Sequence, residues 1–404
     1  MGIDFERLYS DRARKAVASE IREILKMLAD PDIISFAGGI PNPETFPSSV
    51  ISDIAQKALA ECPEETLQYG VTEGCSELRE TLAAYMKGQG LAASPEDFLI
   101  TSGATQTIDL CSQAFLQHGR CVLTESPSFL AALLNFKSYS ADIADVGMDS
   151  DGILVDRLAD RLADLRRKGA KPTMLYIIPN FQNPTGVTLS EPRRRRLIEI
   201  ANEHDLLVLE DDPYGQLRYE GDAVPPVKAF DDVGRVIYAS SFSKILSPGI
   251  RVGWVVAHPE VVRKLSIMKQ TADVHTSVLG QRIADEYIRG GHLERQLPKT
   301  RKLYGRKQKI MLGALDEFFP EEAIWTRPQG GMFLWATLPE SVDTLELLPR
   351  AVKKKVAYMQ GRLFYPNGGG ESEMRLNFTH PSDELITEGV KRLGALIDSE
   401  LRAH

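Results

Sequence analysis

Cysteine is scarce in this chain of 404 residues: Cys62, Cys75, Cys111 and Cys121 are the only four, and no two form a C-x-x-C pair. A disulfide framework or a paired-cysteine metal site is therefore excluded as the organising feature, and buried, reduced thiols are expected. A basic excess is also missing. Lysine and arginine number 48 against 56 aspartates and glutamates, a formal charge of −8. Binding to nucleic acid by counterion release needs a basic surface, so no such partner is expected. No stretch approaches the roughly eighteen apolar residues of a membrane helix. The opening MGIDFERLYSDRARK has no apolar core of a signal peptide, and Glu6 speaks against myristoylation after Met1-Gly2. A cytoplasmic protein with no membrane partner is the expectation. Repeats of fixed period and low-complexity tracts are absent too, which sets aside solenoids and propellers.

What is present is the composition of a globular protein, 43% hydrophobic and 26% charged. Short β-branched runs at 97–101, 120–125, 174–179, 206–210, 236–240 and 251–257 alternate with amphipathic stretches, the pattern of an α/β fold with a mainly parallel sheet. The segment 189–204 predicts a helix, with Pro192 in its first turn and Leu197, Ile200 and Ala201 on one side; 105–116 predicts another through Ile108, Cys111 and Phe115. Arg193–Arg196 reads as a solvated helix face. After about residue 290 the pattern changes to a long charged helix at 294–318, a strand in GGMFLWATL, and helices at 344–356 and 383–402, which predicts a smaller α+β unit over 291–404. Residues 1–45, with an amphipathic helix at 18–29 and a Gly-Gly-Ile-Pro-Asn-Pro loop, form no core alone and must pack on another part of the chain. Residues 46–290 remain as the larger unit.

Four segments at strand ends can carry chemistry. Thr101-Ser-Gly-Ala-Thr-Gln106 opens a helix, where free N–H groups and the positive end of the helix dipole suit an anion; taken alone, an ordinary N-capped strand-to-helix turn explains it better. In Pro179-Asn-Phe-Gln-Asn-Pro-Thr-Gly186 the prolines and glycine fix the backbone and Asn183 offers an amide. Glu210-Asp211-Asp212-Pro213-Tyr214 puts carboxylates at the carboxyl end of a strand, where open α/β sheets bind ligands; a capped or solvated acidic turn is the alternative. Lys244 lies among small hydroxyl residues seven positions before Arg251. A desolvated lysine near another cation has a lowered pKa and becomes a nucleophilic amine.

A phosphate cradle, an asparagine, a carboxylate and a lysine at four strand ends are the groups needed to hold pyridoxal 5′-phosphate. With Tyr69-Gly-Val-Thr-Glu-Gly, Leu78-Arg79, Asn183-Pro-Thr-Gly, Asp211-x-x-Tyr214, Ser241-x-Ser243-Lys244, Arg251 and Met374-Arg375-Leu-Asn-Phe in this order, the chain resembles the class I/II pyridoxal-phosphate aminotransferases of fold type I. The resemblance runs from about residue 18 to the C-terminal helix. It implies a large cofactor-binding domain at 46–290, a small domain at 291–404, and an arm at 1–45 that packs with the small domain and the active site. It implies that Lys244 bonds the cofactor aldehyde and moves the substrate proton, that Asp211 pairs with the pyridine nitrogen, and that Asn183 and Tyr214 bond the ring oxygen. Gly103, Ala104, Thr105, Ser241, Ser243 and Arg251 would bind phosphate. Tyr69 would reach the neighbouring subunit's phosphate, hence a homodimer, and Arg375 would grip the substrate α-carboxylate.

Two positions depart from the family pattern. Phe129 stands where relatives stack a tyrosine or tryptophan on the ring, and Met359-Gln360-Gly361 replaces a common Pro-Gly. No winged-helix segment precedes the region, so the transcription-factor members are not the expected reading. Ser19-x-x-Arg22-Glu23, Ser35-Phe-Ala-Gly-Gly39-Ile-Pro41 and Asn367-Gly-Gly-Gly370 are similar to the subgroup acting on 2-aminoadipate, kynurenine, aromatic and branched-chain amino acids with 2-oxoglutarate. In that subgroup Gly39 and Arg22 would belong to the substrate site, with Arg22 meeting a distal carboxylate. The expected activity is a ping-pong amino transfer between amino acid and 2-oxo acid; a carbon–sulfur β-lyase on the same fold is the alternative, and a non-catalytic ligand sensor a more distant one.

Overall fold

The computed structural model describes residues 3–15, 30 and 32–402. Arg22 and the helix expected at 18–29 lie outside the described residues. Eight strands form the large sheet: β2 (Phe98–Thr101), β3 (Cys121–Ser126), β4 (Asp142–Asp149), β5 (Gly152–Ile153), β6 (Pro172–Ile177), β7 (Leu207–Asp211), β8 (Val236–Ser241) and β9 (Gly253–Val256). Their order is β2-β9-β8-β7-β6-β3-β4-β5. The run β4, β3, β6, β7, β8 is parallel. β9 runs against both β8 and β2, and β5 against β4. Strands buried on both faces read as continuous apolar runs because helices cover both sides of a parallel sheet. The period of two shows in the packing: in β6, Met174 and Tyr176 enter one apolar cluster while Leu175 and Ile177 enter the other.

The six apolar runs expected as strands are strands to within two residues at each end. β4 and β5 escaped the reading because β4 is only half covered, alternating buried and open positions in Asp-Ile-Ala-Asp-Val-Gly-Met-Asp, and β5 has two residues. The expected helix at 189–204 is Glu191–Glu203, with Pro192 in its first turn, where a missing N–H costs nothing. Its arginines are not one solvated face. Arg194 is fully buried and donates to the carbonyls of Leu189 (2.9 Å), Pro179 (3.0 Å) and Pro225 (2.8 Å) and to Asn180 Oδ1 (2.7 Å). Arg193 clamps Asp149 through both terminal nitrogens, whereas Arg195 and Arg196 pair with exposed glutamates of their own helix. A guanidinium has five donors, enough to repay burial when every neighbour is a carbonyl, and composition alone does not reveal such a neighbourhood. Cysteine burial is also uneven, since Cys111 and Cys121 are buried but Cys62 and Cys75 only partly so; all four are free thiols.

A second, wholly antiparallel sheet has the order β10 (Ile324–Trp325), β11 (Phe333–Thr337), β14 (Glu373–Asn377), β13 (Met359–Gln360). The helices His292–Phe318 and Asp383–Leu401 pack on each other beside it. Ser382 caps the last helix by accepting from Leu385 N, and Ile386, Val390, Leu393 and Ile397 form its buried stripe at helical spacing. Full burial of each contributes roughly 1.5–3 kcal/mol. The helix Thr344–Lys353, shorter than the expected 344–356, is amphipathic, burying Leu347, Leu348 and Ala351. The early segment joins this sheet region. β1 (Ile34–Ser35) pairs in parallel with β12 (Val356–Ala357), and the next residue, Phe36, accepts from Asn377 N at 2.8 Å. That register brings the carbonyls of Ala37 and Gly39 toward the carboxyl edge of the large sheet.

Candidate active site

All six strands that point the same way end at one edge, so the loops after β2, β3, β6, β7 and β8 meet there. Because β9 is antiparallel, its N-terminal approach reaches the same edge and brings Arg251 with it. Sheet direction thus gathers residues far apart in sequence.

Asp211 ends β7 with its carboxyl buried. Oδ2 accepts from the Tyr176 hydroxyl at 2.8 Å, and Oδ1 has no partner. Burial pushes its pKa up to about 7; the Tyr176 hydrogen bond opposes this and the nearby Asp212 adds to it. A buried carboxylate oxygen without a donor is costly and calls for an N–H from a group in the site. Glu125 and Glu210, buried nearby, are spent differently. Glu125 accepts from Ile178 N and Gln182 Nε2, holding the Asn-Pro loop, and Glu210 accepts from the amides of Val227 and Lys228.

Lys244 follows β8, and its Nζ donates to Gly39 O at 2.9 Å. Burial brings its pKa down to about 8, helped by the positive charges of Arg375 and Arg251. Much of the amine is therefore neutral near that pH, the condition for nucleophilic attack on a carbonyl. Arg375, in the middle of β14, is buried between the rings of Phe333 and Phe364, 4.3 and 5.1 Å from its guanidinium carbon. It donates to Asn183 Oδ1 at 2.8 Å and Ala37 O at 2.6 Å, while Nε lacks a partner. Asn183 in turn donates to the Tyr214 hydroxyl across 3.4 Å. Desolvation lowers the pKa of Arg375 to about 10 and raises that of Tyr214.

At the other end of the site, Gly103 has φ +86°, and the helix Ala104–Phe115 begins after it with no side-chain cap. A Cβ on Gly103 would stand 2.6 Å from Arg251 Nη2, so only glycine lets that guanidinium approach. Arg251 reaches Ser102 O (3.1 Å) and Ser243 Oγ (3.5 Å), and Ser243 shares a 2.8 Å bond with Ser241 Oγ. The result is a cationic pocket of uncapped amides, hydroxyls and a guanidinium, suited to a dianion.

The structure brings Gly39, Gly103, Ala104, Thr105, Asn183, Asp211, Tyr214, Ser241, Ser243, Lys244, Arg251 and Arg375 to this one edge. Phe129 precedes the helix Leu130–Ser138 on the loop after β3, partly buried, and the neighbouring Ser128 N donates to Phe364 O at 2.8 Å. Tyr69 is 80% exposed and meets His275 edge-on. Tyr176, Glu125, the carbonyl of Ala37, and the Phe333 and Phe364 rings are site residues that the sequence reading missed, whereas Gly39 was expected there. An apolar strand hides a tyrosine hydroxyl, and a backbone carbonyl has no signature in sequence. Gln360, in β13, pairs with Met374 of β14, so the Met-Gln-Gly departure keeps a regular backbone there, though Gln360 Oε1 is buried without a partner.

A family model described as aminotransferase class I and II matches residues 31–393. The chain belongs to this family. It is an aminotransferase, and pyridoxal phosphate is its cofactor. It is similar to aromatic-amino-acid aminotransferase 1 of Thermococcus litoralis, 45% identical over 99% of this chain and 96% of that one, and to 2-aminoadipate transaminase of Thermus thermophilus, 40% identical over 97% of each. Among solved structures, the kynurenine aminotransferase of Pyrococcus horikoshii, in complex with PMP and with KYN and KYA as substrate and product, superimposes with a TM-score of 0.95 at 46% identity over 98% of both chains. The residues present fit the cofactor. The orphaned Asp211 Oδ1 can accept from a pyridinium N–H, the uncapped helix with Arg251 can take a phosphate, and Lys244 offers an amine of lowered pKa.

Proposed function

We propose that the aminotransferase moves the amino group of an L-amino acid of the 2-aminoadipate, aromatic or branched-chain type to 2-oxoglutarate by a ping-pong mechanism. The observation that carries this reading is the Lys244–Gly39 contact and the buried Arg375–Asn183–Tyr214 constellation beside the unpartnered Asp211 oxygen. When bound, pyridoxal phosphate supplies an electron-accepting ring that stabilises negative charge developing at the substrate Cα. Lys244 would hold the cofactor through its aldehyde and, as an amine of lowered pKa, would move the proton at the substrate Cα. Asp211 keeps the pyridine nitrogen protonated. Asn183 and Tyr214 hold the ring oxygen, Phe129 covers the ring face, and Gly103, Ala104, Thr105, Ser241, Ser243 and Arg251 bind the phosphate. Arg375 takes the α-carboxylate through its planar fork, with its two aromatic walls excluding water. The relatives that act on aromatic, 2-aminoadipate and kynurenine substrates support this substrate class.

The reading extends to a cytoplasmic homodimer in which Tyr69 completes the partner's phosphate site, with residues 46–290 as the cofactor domain, 291–404 as the small domain, and the 1–45 arm over the substrate. Arg22 on that arm meets a distal carboxylate. A panel of 2-aminoadipate, leucine, phenylalanine, kynurenine and glutamate with 2-oxoglutarate tests the substrate class. Arg22→Ala should lower kcat/KM for 2-aminoadipate about tenfold relative to leucine, the value of one charge-assisted contact. An unchanged ratio removes Arg22 from the site.

A further inference from the structure

Lys269 is fully buried on the helix Pro259–Ala272, takes no part in the chemistry above, and lies behind the phosphate cradle. Its Nζ donates to both Asp273 oxygens (2.7 and 2.8 Å) and to Gln106 Oε1 (2.9 Å). Gln106 Nε2 donates to Asp273 Oδ2 at 2.7 Å, closing a ring of three side chains. That ring holds Ser102 at two points: its N–H donates to Gln106 Oε1 (2.8 Å) and its hydroxyl to Asp273 Oδ2 (3.0 Å), with Thr276 Oγ1 3.3 Å from the same hydroxyl. The third polar atom of Ser102, its carbonyl, accepts from Arg251 Nη2.

We propose that Lys269, Asp273 and Gln106 are positioning residues for the phosphate of the cofactor, acting through Ser102. The two halves of the cradle come from different strands, the uncapped amides from the β2 turn and the guanidinium from the approach to β9. Ser102 is the residue through which they are joined, and Gly103, directly after it, has the positive φ that turns the chain into the helix. With its amide and hydroxyl fixed from behind, Ser102 keeps its carbonyl aimed at Arg251 and the following amides aimed at the phosphate, so little ordering is left to occur on binding. A buried lysine opposite a carboxylate is weak evidence for stability by itself, since an apolar pair of similar volume often does as well. Its value here is in orientation.

The inference rests on the placement of the phosphate at Gly103–Thr105 and Arg251, and the test separates the two. Dissociation constants of pyridoxal 5′-phosphate and of pyridoxal, which lacks the phosphate, are measured by absorbance titration of cofactor-stripped protein. The variants are Ser102→Ala, which removes one hydroxyl, Lys269→Met/Asp273→Leu, which leaves no unpaired buried charge, and Arg251→Ala. The first two should weaken the phosphorylated ligand about tenfold more than pyridoxal, the loss expected for one hydrogen bond to a charged group. An equal change for both ligands, or no change, overturns the positioning role when Arg251→Ala still shows a phosphate-selective loss. Absence of selectivity in Arg251→Ala as well overturns the phosphate placement, and the inference with it.

Discussion

At the scale of residues, the site works by charge placed where water is scarce. Lys244 is poised because burial and two guanidinium groups disfavour its protonated form, bringing its pKa to about 8. The rate at which stripped enzyme captures the cofactor aldehyde should therefore rise as pH increases through about 8, since the neutral amine is the nucleophile. Arg375→Met removes one neighbouring positive charge, eases protonation of Lys244, and should shift that midpoint to higher pH in stopped-flow absorbance. A midpoint that stays put or falls contradicts the electrostatic assignment. The same substitution should raise KM for amino acid and 2-oxo acid by about ten- to a hundredfold, the worth of a charge-assisted bidentate contact at roughly 1.5–3 kcal/mol. Lys244, Asp211 and Arg375 were legible in sequence because side chains carry their function and fall in a recognisable order. Tyr176 and the Ala37 carbonyl were not, since their roles follow from which strand neighbours which.

At the scale of elements, the loop between β6 and the helix Glu191–Glu203 holds Asn183, and its geometry depends on residues outside the chemistry. Arg194 ties Pro179, Asn180, Leu189 and Pro225 together from beneath. Arg194→Met keeps the volume but strands these acceptors in the interior, and should cost about 3 kcal/mol or more in urea unfolding. A loss below about 0.5 kcal/mol, the level of an ordinary surface change, would restore the reading of Arg194 as a solvated residue. Arg193–Arg196 shows where pattern reading stops: four consecutive arginines look alike in sequence, yet one helical turn buries Arg194, ties Arg193 to strands β4 and β5, and leaves Arg195 and Arg196 pairing with glutamates of their own helix. Strand positions, by contrast, were readable wherever both faces are covered, as in β6, β7 and β8, and failed at the half-covered β4.

At the scale of the whole molecule, the site lies where two sheets meet. Lys244 on the loop after β8 bonds Gly39 on the early segment, and Arg375 on the small sheet bonds Asn183 on the loop after β6. A net charge of −8 and a cationic pocket coexist because Lys244, Arg251 and Arg375 converge at one edge. The exposed ring of Tyr69 has its place in a partner's site under the dimer reading. Mixing Lys244→Ala protomers with Tyr69→Ala protomers under conditions of subunit exchange should then regenerate activity, as half the mixed sites recover both groups. No gain over either parent, with mixed dimers verified by native mass spectrometry, contradicts a shared site.

In the proposed reaction, Lys244 and the groups around it exchange an amino group with pyridoxal phosphate in two separable halves. A single-turnover titration of the loaded enzyme with 2-aminoadipate, without any 2-oxo acid, tests it most directly. The visible absorbance of lysine-bound cofactor should disappear, one 2-oxo acid should form per site with no ammonia, and 2-oxoglutarate should restore the band, while Lys244→Ala shows none of this. Continuous release of ammonia without an acceptor, or a band indifferent to every amino acid of the panel, would contradict it.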